Sequence, residues 1–182
     1  MLCALVSYMR VGKKTSIPYC SKKTQTRDMK FNLRFPISEI KTYASRYSYG
    51  RLSQEVINNV YKIRCRGYLT KKELQIIGEW KSPRSKSRIA SNLENYITEV
   101  TQIAFATENE RLRIEILNLL VGVSWPTASV LLHFYHQDQY PILDFRALYS
   151  LNCEHIKPQD YKFEFWIEYT KFTRDLAKQA NV

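Results

Sequence analysis

Residues 119–151, LLVGVSWPTASVLLHFYHQDQYPILDFRALYSL, decide the fold of this chain. The pattern predicts a helix, a tight turn at Gly122, a second helix, and a short apolar run that brings Asp144 to the start of a further helix. Glycine takes a positive φ at little cost, which suits such a turn. Pro126 suits the first turn of the second helix, and aspartate is a favoured helix N-cap. The stretch therefore predicts two helices joined by a hairpin, followed by a capped third helix.

A hairpin of this kind offers a site for a phosphate group. Backbone N–H groups of the turn and of the next helix's first turn point in one direction, and such a concave set of donors suits an anion. It recognises shape and charge and not base sequence. An ordinary corner between two helices is the alternative interpretation. The candidate phosphate-binding residues are Gly122, Val123, Ser124 and Thr127.

The rest of the chain is also helical in its periodicity. Apolar residues recur at three- and four-residue spacing from Pro36 onward, and Gly67 suits the position after a helix end. Thr70-x-x-Glu73 and Thr107-x-x-Glu110 both match the capping-box pattern. Only five Gly and six Pro occur in 182 residues, which argues against an all-β fold. We predict an all-α orthogonal bundle with its helix-hairpin-helix at about residues 112–136.

The charge points to an acidic partner. The formal net charge is +11 and the pI is about 9.5. Nucleic acid is the first candidate and an anionic membrane surface the second, although a soluble cationic protein fits equally. A predicted basic loop lies between two helices and contributes candidate phosphate contacts from Lys81, Arg84, Lys86 and Arg88.

Residues 1–28 differ from the rest and carry six Lys or Arg and one acid. An over-extended translation start is the favoured interpretation, and a disordered basic arm or a transit peptide are the alternatives. Residues 29–182 are predicted to form a single helical domain. No apolar run approaches the roughly 20 residues that span a bilayer. Four scattered cysteines suit free thiols in a reducing cytoplasm, and they form no zinc-ribbon or iron–sulfur pattern.

The hairpin and aspartate resemble the helix-hairpin-helix DNA glycosylase superfamily of base-excision repair. Residues 120–128, LVGVSWPTA, are similar to its L-P-G-V-G-x-x-T-A hairpin. Residues 141–144, PILD, are similar to the segment that ends in aspartate in the adenine-removing branch. Asp144 lies 18 positions after Pro126, a separation that fits the family. The similarity covers about 30 residues.

The resemblance implies cleavage of the N-glycosidic bond of a flipped nucleotide in duplex DNA. Asp144 would stabilise the positive charge that develops on the sugar, or activate a water. Pro126 stands where strand-nicking members carry a lysine, so no lyase activity is expected. Trp125 and Arg146 are candidates for stacking or for pairing with the carboxylate.

No metal is expected, although a monovalent cation at the hairpin is implied by the family. Two alternatives remain open at this point. The first is a non-catalytic module of the same fold that binds DNA or a protein. The second is an unrelated helical scaffold, and the sequence leaves the oligomeric state undetermined.

Overall fold

Every regular element in the described part of the chain is helical, which confirms the all-α prediction. The computed structural model describes residues 31–46, 51–136 and 139–182. The predicted leader, residues 1–28, lies outside them. The α-helices of the described ranges are α1 Ile40–Ser45, α2 Arg51–Arg66, α3 Lys71–Lys81, α4 Lys86–Ala90, α5 Glu94–Ala106, α6 Glu110–Glu115, α7 Trp125–Tyr135, α8 Phe145–Ser150 and α9 Phe163–Ala180. Short 3₁₀ helices occupy Ile37–Glu39, Pro83–Ser85, Ile116–Leu119 and Pro158–Asp160.

Two of the predicted helix boundaries are confirmed by their backbone geometry. Gly67 follows α2 with a φ of +83°, and its N–H donates to the Ile63 carbonyl at 2.8 Å. Thr70 caps α3 in a complete capping box, because its hydroxyl accepts from the Glu73 N–H while the Glu73 carboxylate accepts from the Thr70 N–H at 2.8 Å. The α2–α3 connection is therefore fixed by local sequence.

The predicted capping box at Thr107 is wrong. The N-cap of α6 is Asn109, whose side-chain oxygen accepts from the Leu112 N–H at 3.0 Å. The Thr107 hydroxyl instead accepts from the Asn109 N–H at 3.1 Å. Asparagine is as good an N-cap as threonine, and here it lies closer to the helix start.

The first helix of the hairpin is not one continuous α-helix up to the turn at Gly122, as the pattern predicts. It ends at Glu115 and continues as the 3₁₀ helix Ile116–Leu119. Leu117 lies within the 3₁₀ helix, and Leu120 is the extended residue that follows it. Both side chains enter the core, where they are at most 1% exposed.

The predicted basic loop is largely helical. Pro83 opens a 3₁₀ turn that leads into α4, because proline suits the first position of a helix. Ile89 fixes α4 in the core and is fully buried. A Cβ placed on Gly78 of α3 would lie 2.2 Å from the Ile89 Cδ1, so α3 and α4 approach closely only because residue 78 is glycine.

Helix α7 lies in the core. Its residues from Thr127 to His133 are all buried. Helix α9 contributes Phe165, Trp166 and Tyr169, and the Trp166 ring stacks on Tyr140 with centroids 5.8 Å apart. No helix within the described ranges is long and apolar enough to cross a membrane.

Substitution of Gly122 is expected to destabilise the fold more than substitution of Gly67. Both glycines have φ near +84°, where an added Cβ costs about 1–3 kcal/mol. At Gly122 the Cβ would also lie 3.0 Å from the Ile89 backbone N, whereas at Gly67 the nearest atom is 4.0 Å away. In urea unfolding, Gly122→Ala should therefore lower the free energy of unfolding more than Gly67→Ala does. Equal decreases would contradict the packing of the turn on α4.

Candidate functional site

The extended segment that precedes Asp144 is held in the core by side chains of two helices. The His133 Nδ1 lies 2.8 Å from the Tyr140 carbonyl oxygen, so this nitrogen carries the proton and donates. The Ser129 hydroxyl accepts from the Leu143 N–H at 2.9 Å, and the Tyr169 hydroxyl donates to the Ile142 carbonyl at 2.8 Å. These buried bonds place Asp144 beside the first turns of α7.

The Asp144 carboxylate has two partners. It caps α8, since Oδ1 accepts from the Arg146 N–H at 2.9 Å. The Lys81 ammonium at the end of α3 donates to Oδ2 at 2.6 Å. The side chains of Asp144 and Lys81 are only 15% and 11% exposed, so the ion pair is largely shielded from water. The structure thus places Lys81 against the predicted catalytic carboxylate, although it was predicted as a phosphate contact.

Two buried tyrosines lie within the field of Asp144. Burial raises the pKa of Tyr161, and the negative charge of Asp144 raises it further. The pKa of Tyr169 is raised for the same two reasons. Both phenols therefore stay protonated at physiological pH, and the Tyr169 hydroxyl keeps its role as a donor to Ile142.

The hairpin turn is formed by residues 120–123 and is secured from outside. The Val123 N–H donates to the Leu120 carbonyl at 3.0 Å, and Gly122 has the φ of +84° that such a turn requires. The buried Asn92 side chain accepts from the Val121 N–H at 2.8 Å and donates to the Val121 carbonyl at 2.9 Å. The Val121 and Val123 N–H groups are thereby used within the fold.

Other N–H groups at the start of α7 stay available. Within the described ranges no acceptor is present for the N–H groups of Gly122, Ser124, Trp125 and Thr127. Ser124 is exposed and takes an extended conformation with φ −119° and ψ 173°, which serine adopts without strain. Thr127 is buried, with only 2% of the whole residue exposed, so both its hydroxyl and its backbone N–H are covered in this structure. Backbone donors at a helix start suit an anion.

The remaining basic candidates are all exposed, but they differ in their neighbours. Arg84 and Arg88 are exposed, and the Arg88 Cβ would lie 3.1 Å from a Cβ on Gly122, so this arginine borders the turn. Lys86 is also exposed and pairs with Glu79 at 2.8 Å. The fold therefore brings α4 and the hairpin turn together on one surface, although they are 34 positions apart in sequence.

Neither of the candidates for stacking or pairing contacts the carboxylate through its side chain. Trp125 is partly buried and packs against the core. The Arg146 guanidinium lies 5.0 Å from the centroid of the Phe145 ring, and only its backbone N–H reaches Asp144. Lys81 takes the pairing role that the sequence suggested for Arg146.

Few of the residues that position Asp144 can be recognised from the sequence. Ser129 and His133 are polar residues one helical turn apart in the otherwise apolar stretch 128–134 of α7, and that contrast is a usable signal of buried hydrogen bonding. Asn92, Lys81 and Tyr169 come from distant elements, and no local pattern marks them.

His136 lies at the opposite end of α7 from the hairpin. Burial and the positive charges of Arg113, Arg64 and Arg174 lower its pKa to about 4. The Arg113 Nη1 lies 2.8 Å from its Nε2 and donates to it. His136 is thus neutral and accepts a hydrogen bond near neutral pH.

The described ranges contain no group of three or more His, Cys, Asp or Glu side chains placed to hold a metal ion. The monovalent cation at the hairpin stays a prediction. The Leu120 and Val121 carbonyls, which would be near it, already accept hydrogen bonds from Val123 and Asn92.

The chain has no match among protein-family models, curated proteins or solved structures.

The ion pair between Lys81 and Asp144 is expected to stabilise the fold more than an exposed pair does. Lys81→Met leaves a largely buried carboxylate without its cation, which should cost about 3 kcal/mol. A double-mutant cycle with Asp144→Asn should give a coupling energy of about 1–3 kcal/mol by urea unfolding. The control is the exposed Lys86–Glu79 pair, where the coupling should stay below about 1 kcal/mol. Similar coupling in both cycles would contradict the burial of the first pair.

The stability of the protein should depend on His136 between about pH 6.5 and pH 4. The folded state holds His136 neutral down to about pH 4, whereas the unfolded chain protonates it near its ordinary pKa of 6.5. The unfolded state therefore binds the extra proton, and stability falls as the pH is lowered through this window. His136→Gln keeps an acceptor for Arg113. In this variant the number of protons taken up on unfolding in this pH window should fall by one, so the free energy of unfolding depends less on pH. An unchanged pH dependence in His136→Gln would contradict the assignment to His136.

Proposed function

We propose that this protein is a helix-hairpin-helix DNA-binding protein that acts as a monofunctional DNA glycosylase. Asp144 is its catalytic carboxylate, and duplex DNA that contains a damaged or mispaired base is its substrate. The observation that carries the proposal is the placement of Asp144, at the end of a segment fixed by buried hydrogen bonds, beside the first turns of α7.

The hairpin surface supports the DNA-binding part of the proposal. Available N–H groups at the start of α7 suit a phosphate oxygen, and Arg84 on the 3₁₀ turn Pro83–Ser85 and Arg88 on α4 lie exposed. Contacts of this kind position a duplex without selecting a sequence. A monovalent cation bound at the turn, as the resemblance implies, would add to the attraction for phosphate.

The reaction needs a carboxylate and a water molecule. As the bond from C1′ to the base nitrogen breaks, its electron pair leaves with the base and the sugar gains positive charge. Asp144 lies in a shielded environment where a negative charge stabilises such a cation strongly. Water then adds at C1′, and its proton passes to the carboxylate or the departing base. Both Asp144 oxygens retain lone pairs beside their present hydrogen bonds, so one can accept from water.

The second candidate function is a DNA-binding module of the same fold without catalysis. The ion pair favours it, because the Lys81 ammonium neutralises much of the charge that Asp144 would offer to the sugar. In this case Asp144 acts as a helix cap and as the partner of Lys81, and the hairpin surface alone carries the function.

The test of catalysis compares two substitutions that both break the ion pair. Asp144→Asn removes the carboxylate, whereas Lys81→Met retains it. In a screen of duplexes with single damaged or mispaired bases, the glycosylase proposal expects base release by the wild type and by Lys81→Met, and none by Asp144→Asn. Loss of base release in both variants would mean that the activity depends on the ion pair as a structural contact and not on the carboxylate as a catalytic group. Binding without base release by the wild type would favour the second candidate.

Binding should be measured by fluorescence anisotropy of the full chain on a duplex with an abasic-site analogue, across a salt series. We expect tighter binding than to intact duplex and a fall in affinity with salt. Arg84→Ala and Arg88→Ala should each weaken binding and lower the salt slope by about one. Lys178→Ala, on an exposed position at the far end of α9, is the charge-matched control and should have little effect. No binding at low salt would leave an unrelated helical scaffold.

A further inference from the structure

Helix α8 presents two aromatic rings to solvent directly after Asp144. Phe145 is the first residue of the helix and is 58% exposed, and Tyr149, four positions later on the same side, is 39% exposed. The opposite side of α8 packs into the core through Ala147 and Leu148. We call the exposed side, formed by Phe145 and Tyr149 with Arg146 and Arg34, the aromatic face of α8.

Each ring of the aromatic face has a guanidinium over it. Arg146 lies 5.0 Å from the Phe145 centroid, and Arg34 lies 4.1 Å from the Tyr149 centroid. Arg34 is held in place by its backbone, because its N–H donates to the Ser150 carbonyl at 2.9 Å. Its side chain also pairs with Glu154. The rings and cations therefore form a preorganised surface and not a set of independent side chains.

The chemistry of this surface suits an unpaired nucleobase. Bases that are free of a duplex stack on aromatic rings and on guanidinium planes, while arginine charges attract the backbone. In an intact duplex the faces of the bases are covered by their neighbours, so the aromatic face cannot stack on them. The occupant is thus a single-stranded stretch of DNA.

We propose that the aromatic face of α8 binds the unpaired nucleotides next to the one at Asp144. This inference rests on the proposed function and narrows its substrate class to duplex DNA in which nucleotides beside the damaged or mispaired base are unpaired, as in a bubble or a gap. Phe145 adjoins Asp144 in sequence, so a strand whose sugar lies at the carboxylate passes the aromatic face with its adjacent bases.

The test compares three DNA probes by fluorescence anisotropy with the full chain. They are a 15-nucleotide oligo-dT, a 15-unit oligomer of abasic-site analogues with the same backbone charge, and a blunt intact duplex. We expect the wild type to bind oligo-dT at least about tenfold more tightly than the abasic oligomer, because only the former has bases to stack. Phe145→Ala and Tyr149→Ala should each lower the affinity for oligo-dT about tenfold and leave the other two affinities unchanged.

Conservative variants provide the matched controls. Phe145→Tyr and Tyr149→Phe keep a ring at each position and should bind oligo-dT like the wild type, while thermal unfolding checks that the alanine variants remain folded. Equal affinity of the wild type for oligo-dT and the abasic oligomer would overturn the inference, as would unchanged oligo-dT binding by both alanine variants. In either case, the proposed function stands if the wild type still binds duplex DNA and this binding depends on Arg84 and Arg88. If the wild type does not bind duplex DNA either, both this inference and the proposed function are wrong.

Discussion

The segment Tyr140–Leu143 is buried, yet in the described part of the chain no strand pairs with it. Its backbone groups therefore need partners among side chains, since an unpaired buried peptide group is costly. Ser129, His133 and Tyr169 supply them from α7 and α9. The direction in which the segment leaves the core, and with it the position of Asp144, depends on these three bonds.

The same requirement shapes the surroundings of the carboxylate. Asp144 emerges where water is largely excluded, and a charge in such a place needs compensation. The N–H of Arg146 and the ammonium of Lys81 provide it. The Lys81 ammonium also weakens the catalytic role of Asp144, because a neutralised carboxylate stabilises a positively charged sugar poorly. The strength of this ion pair therefore distinguishes a catalytic function from a binding function.

The sequence predicted those parts of the structure that depend on neighbouring residues. The helical class, the capping box at Thr70, the end of α2 at Gly67 and the cap at Asp144 all follow from side chains within four positions of each other. The Thr107 box failed because Asn109 competes for the same helix start.

The parts that were not predicted depend on distant contacts. Ile89 converts a basic segment that resembles a loop into α4, because it fills space beside two glycines of other elements. The bond from Lys81 to Asp144 joins residues 63 positions apart, and no local pattern indicates it. Polar residues inside the apolar α7 were the one usable sign that a buried network was present.

The dependence of the hairpin turn on Asn92 has a consequence for how the chain folds. Asn92 lies 29 positions before Val121, and Ile89, against which Gly122 packs, lies further still. The turn therefore acquires its final form only after a long loop has closed, at an entropic cost that its own short-range bonds do not offset. The hairpin is accordingly not an autonomous module. A peptide cut to its two helices, or a transplant of them into another scaffold, loses the asparagine that closes the turn.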